Sequence, residues 1–181
     1  PEGTALTSRN VPWSPKHRHR DRTILRLGRV LWRSGHRIGE ICEHPSGEIV
    51  YITLDCPTLR RKGVMIATPT EEELLSMTKG DVILLQPSSS KCDQFGLRWC
   101  PFPSVLPFDG TGTCAAAAVR DILLESLHIE GEARERTALF PDENGSPFTY
   151  GILNRELNQL CKSLFGANIA STLSWHSIRI G

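Results

Sequence analysis

Apolar positions recur along this chain in two rhythms, and the alternation between them predicts its elements. In DRTILRLGRVLWRSG, Asp21 to Gly35, the residues Ile24, Leu25, Leu27, Val30, Leu31 and Trp32 stand at close to helical spacing. Asp21 is placed to cap that helix and Gly35 to stop it. GEIVYITLDC, VMIAT, GDVILLQ and the apolar stretch through Val105 and Leu106 are short β-branched or apolar runs bounded by Gly, Pro or Ser. They predict the strands of a small antiparallel sheet. TEEELLSM, between two of them, reads as a short helix opening at Thr70.

From Thr113 the helical rhythm returns. CAAAAVRDILLESLHIE is Ala-rich with apolar spacing, GEARER is a charged turn, and PDENGSP is a loop. Thr149 then caps YGILNRELNQLCKSLFG, whose Ile152, Leu153, Leu157, Leu160 and Leu164 form a stripe that stops at Gly166. A last helix begins near Ser171. The pattern is that of an α+β fold, mainly helical with a small antiparallel β-sheet.

Composition adds limits to this reading. The chain has 181 residues, 39% of them hydrophobic, enough for a core of one domain with an extension. No run approaches the roughly 20 apolar residues of a membrane span, and PEGTALTSRN lacks the basic-then-apolar plan of a signal peptide. Because it starts at Pro1 without a methionine, the sequence reads as a piece of something longer. The six cysteines are scattered, with no CxxC pair and no Cys/His cluster at zinc spacing. They read as reduced thiols of an intracellular protein, although an even count leaves a disulfide framework open.

Net charge is +1, but it is unevenly spread: residues 1 to 40 carry +6 and residues 41 to 181 carry −5. The run PKHRHRDR, with Lys16, Arg18, Arg20 and Arg22, reads as an electrostatic footprint for phosphates, a nuclear address, or a solvated linker. Residues 1–20 are therefore expected to be a basic lead-in, and residues 21–181 the domain proper.

Three short motifs carry candidate chemistry. HxxR occurs three times, but only His176 and Arg179 sit among apolar residues where a helix should start. At i and i+3 on a helix the two side chains face the same way and can share one anionic group. In RSGHRIGEI, Arg37 follows a glycine break and Glu40 stands three residues later, where its carboxylate can orient the guanidinium. In SSSKCDQFG, Lys91 is the one basic residue at a polar tip after GDVILLQ, suited to donating a proton to a leaving oxygen. Taken singly, each has an ordinary reading as a surface ion pair, a satisfied histidine or a solvated lysine.

In this order the motifs resemble the catalytic domain of tyrosine recombinases, the integrase-like enzymes that break and rejoin DNA, from about Asp21 to the end. The wording SKCDQFG, LFPDENGSPFT and SWHSIRIG is similar to recombinases of eukaryotic mobile elements. The resemblance implies that Arg37 and Arg179 hold the non-bridging oxygens of a scissile phosphate and that His176 assists them. It implies Lys91 as general acid and Glu40 as support for Arg37, with no metal and no cofactor. The partner implied is double-stranded DNA, with a homo-oligomer on DNA for the full-length protein and a nuclear or DNA-associated location.

The sequence departs from that family at the nucleophile, a tyrosine that follows the His-x-x-Arg. The only tyrosines, Tyr51 and Tyr150, precede it, and both are expected to be partly buried. The chain is therefore expected to be inactive alone. A non-catalytic DNA-binding module that keeps the phosphate-binding shell, and an unrelated α/β domain, stay open beside the recombinase reading.

Overall fold

The computed structural model describes residues 15–36, 38–43, 51–86 and 103–175, with the side chains of 15–18 and 40 outside that description. Among the described residues there are six helices and one four-stranded antiparallel sheet, which agrees with an α+β fold.

Helix α1, Pro15–Ser34, starts inside the basic run, six residues before Asp21, so the boundary expected at residue 20 falls within it. Proline suits a first helical position, where its missing N–H breaks no bond. The helix stops as expected: Gly35 has φ +69° and its N–H bonds the Leu31 carbonyl at 3.1 Å. Leu27, Val30 and Leu31 are buried on its inner face. Trp32 and Leu25, expected in the same apolar stripe, are instead exposed.

The sheet is ordered β2-β1-β3-β4, from β1 (Pro57–Arg61), β2 (Val64–Ile66), β3 (Val82–Leu85) and β4 (Ser104–Pro107). Leu59 pairs with Ile83, and Ile83 with Leu106, so one buried row crosses three strands toward the helices. The opposite face is open enough that Val105 is exposed. Of the strand expected around Tyr51, residues before 51 lie outside the description, and the described part forms a bridge: Leu54 N–H bonds the Thr137 carbonyl at 3.0 Å and Leu139 N–H the Ile52 carbonyl at 2.9 Å.

Between β2 and β3 lies α2, Glu71–Leu75, opened as expected by Thr70 in a capping box with Glu73. Arg61 ties this helix to the sheet. Its guanidinium donates to Asp81 Oδ2 from Nε at 3.1 Å and Nη2 at 2.9 Å, and also to the Glu73 carbonyl and Ser76 Oγ.

Helix α3, Ala115–Glu125, buries Ala116, Ala118, Val119, Ile122 and Leu123. Its alanines let α1 approach closely. The bidentate pair of Arg26 with Glu125, at 2.7 and 2.9 Å, then locks the two helices together. GEARER forms a one-turn helix, α4 (Glu132–Arg136), where a turn was expected. The loop that follows is held by Asp142, whose Oδ1 accepts from the N–H groups of Asn144 and Ser146. Helix α5, Tyr150–Phe165, is capped by Thr149 and ends at Gly166; α6 is Ala167–Ala170. Apart from α4, which buries no residue, these helices close on one core that includes Phe140, Phe148, Leu153, Ala170 and Trp175.

Candidate nucleic-acid site

Most of the residues expected to touch a phosphate lie outside the described structure; of them only Arg20 and Arg22 have described side chains. Arg37, Lys91, His176 and Arg179 are not among the described residues, nor are the side chains of Glu40, Lys16 and Arg18. What is described is the scaffold from which the first four emerge.

Arg37 lies between the end of α1 and a single 3-10 turn, Ile38–Glu40. Ile41 and Cys42, directly after that turn, are 2% and 3% exposed, so the backbone leaving Arg37 is anchored in the core. Among the described residues, two long-range hydrogen bonds tie the backbone of this segment to other elements. On one side Ser104 Oγ, at the start of β4, donates to the Ser34 carbonyl at 3.2 Å. On the other, Glu43 N–H donates to the Phe148 carbonyl at 3.0 Å.

Each bond links the Arg37 segment to the root of another motif. Ser104 is paired with Leu85 in the β3–β4 ladder, and the connection between those strands carries Lys91. Phe148 directly precedes the cap of α5, the helix that leads through α6 to Trp175. Trp175 is helical and buried in the same core as Ile41 and Cys42, one residue before His176. Its indole Nε1 is buried without a hydrogen-bond partner among the described residues. Ser34, Ser104, Glu43 and Phe148 carry no local sequence signal, since each acts through a partner dozens of residues away.

Of the basic run, the described members are already engaged. Arg20 Nη2 bonds Glu156 at 2.5 Å, with Glu143 at 3.9 Å from Nη1, and the side chain is mostly covered. Arg22 approaches Glu125 at 3.5 Å and is 54% exposed. Arg20 therefore faces α5 and its preceding loop, whereas Arg22 keeps a side open to solvent. The hydrogen bonds from Arg26 hold the Glu125 carboxyl below the ordinary carboxylate range.

The two tyrosines differ from each other. Tyr51 is buried as expected, its hydroxyl donating to the Arg136 carbonyl at 3.1 Å. Tyr150, expected to be partly buried, is 51% exposed on the first turn of α5. Cys42, Cys56, Cys114 and Cys161 are free thiols, and burial pushes Cys42 up to about 12. No group of three or more His, Cys, Asp or Glu side chains among the described residues has the arrangement of a metal site. No helix among the described residues is long and apolar enough to cross a membrane. No family model matches the chain, and no curated protein or solved structure matches it either.

Proposed function

We propose that this chain is a tyrosine recombinase-like catalytic domain, or part of one, that grips the scissile phosphate of duplex DNA through Arg37, Lys91, His176 and Arg179. The observation that carries the reading is the double tether of the Arg37 segment. One tether reaches the strand that closes the Lys91 connection, and the other reaches the residue before the helix that leads toward His176. Three motifs far apart in sequence thus have their roots joined by direct hydrogen bonds or a shared core.

In this role the guanidinium groups neutralise the charge that builds on a five-coordinate phosphorus. Lys91 protonates the departing 5′-oxygen, and His176 shares a hydrogen bond with the phosphate or moves a proton at the nucleophile. Glu40 orients Arg37. In a longer chain the nucleophile is a downstream tyrosine, and the product of cleavage is a phosphotyrosyl bond.

Fluorescence anisotropy with a labelled duplex tests the grip. The expected result is salt-sensitive binding with little sequence preference, in which Arg37→Ala lowers the log–log salt slope by about 0.9. If Arg37 and Arg179 hold one phosphate, the double variant loses less affinity than the sum of the single losses. Absence of binding at low salt, or strictly additive losses, overturns the reading.

A further inference from the structure

Helix α1 carries seven Lys/Arg and one acid, and the structure sorts the described arginines by depth. The deep ones, Arg20 and Arg26, are matched by Glu156 and Glu125. The outer ones form a stripe about 100° wide, in which Arg22, Arg29 and Arg33 alternate with Leu25 and Trp32. All five side chains are exposed, Trp32 most notably at 63%.

No acidic residue lies on the stripe itself. Asp21 borders it, Glu125 approaches Arg22 at 3.5 Å while already holding Arg26, and Asp109 feels the charge of Arg33. Arg29 has no ion pair among the described residues. Trp32 is a large apolar plane left in water within reach of cations, and the stripe runs about 16 Å along the helix to its last turn, next to the Arg37 segment.

We infer that this outer face of α1 docks an unpaired DNA strand, with phosphates on Arg22, Arg29 and Arg33 and a base stacked on Trp32. Cations interleaved with an exposed aromatic suit a splayed strand, because a duplex hides the faces of its bases and offers the indole only sugar edges. The inference stands on α1 alone and does not depend on the strand-cleavage reading.

The test is anisotropy with labelled oligothymidine and with a duplex of equal length, using the 181-residue chain. Trp32→Ala is expected to weaken oligothymidine binding about tenfold and duplex binding less than about twofold. Trp32→Phe should restore most of the loss, and Arg29→Ala should lower the single-strand salt slope by about 0.7. Circular dichroism and Tm, unchanged in the variants, separate loss of contact from loss of fold.

Unchanged oligothymidine binding in both Trp32→Ala and Arg29→Glu overturns the inference. So does an equal loss on single strand and duplex, or a Trp32-dependent self-association seen by sedimentation without an effect on binding. Arg37→Ala keeps the two readings apart: the Trp32-dependent component should persist in it, whether or not Arg37 contributes to duplex binding.

Discussion

Asp81 shows how much one side chain can organise here. It is nearly covered and accepts from Arg61 Nε and Nη2 and from the Thr78 N–H at 2.9 Å. The Arg61 guanidinium, followed by the Thr78 N–H, holds its carboxyl below the ordinary range against the opposing effect of burial. Asp81→Asn should cost about 2 kcal/mol at neutral pH, or about 4–8 °C in Tm, because charged acceptors are worth more than neutral ones. The folded value is depressed, so this contribution is whole above the unfolded carboxyl value of about 3.9 and is lost as pH falls through the folded one. The gap between wild type and Asp81→Asn in urea unfolding should therefore shrink below about pH 4. A gap that stays constant to pH 2 would remove Asp81 from this role. Cys42 gives a second test at the same scale. Its thiol is 3% exposed and its pKa is pushed up to about 12, so iodoacetamide at pH 8 should label it only after denaturant is added, as read by peptide mass spectrometry.

At the scale of elements, the join between α1 and α3 predicts an asymmetry. The Arg26 side chain is 10% exposed and Glu125 is 40% exposed. Removing the acid leaves a covered guanidinium without its carboxylate, whereas removing the arginine leaves an acid that water and Arg22 can still satisfy. Glu125→Ala should therefore cost about 2 kcal/mol and Arg26→Met under about 1 kcal/mol in denaturant unfolding. Equal losses would mean that the pair acts only through packing. The same contrast explains what the sequence could and could not tell. Thr70, Thr149, Gly35 and Gly166 mark helix ends by chemistry that acts within four residues, and all four act as read. The start of α1 was hidden because the basic run finds acids at positions 125, 143 and 156, too far away for any local pattern. Strand β1 was hidden because PTLRR has one large apolar residue, Leu59, and its register is set by β3. The exposure of Trp32 and Tyr150 was also illegible, since an aromatic at helical spacing looks the same in sequence whether or not something covers it.

For the whole molecule, the segment that carries Arg37 has two long-range tethers to its backbone among the described residues, and the tether to Phe148 is the more exacting. Its hydrogen bond runs from the Glu43 N–H to the Phe148 carbonyl, so no side-chain change removes it directly. What holds the carbonyl in place is the Phe148 ring, fully buried in the core that also takes Ile41, Cys42 and Trp175. Phe148→Ala should cost about 3–5 kcal/mol through lost burial and the cavity left behind, and Phe148→Leu less than about 1.5 kcal/mol. The informative readout is where the loss appears. Under native conditions the Glu43 amide should exchange faster in Phe148→Leu than in wild type, by more than the amides of β1 and β3, because the opening that exposes it is local. Duplex affinity should fall in step if Arg37 depends on this anchor, while the Trp32-dependent binding of oligothymidine should not, because α1 reaches the core through Leu27, Val30 and Leu31. A uniform rise in exchange across the sheet and α1 would mean instead that Phe148 supports the fold as a whole and gives the Arg37 segment no particular rigidity.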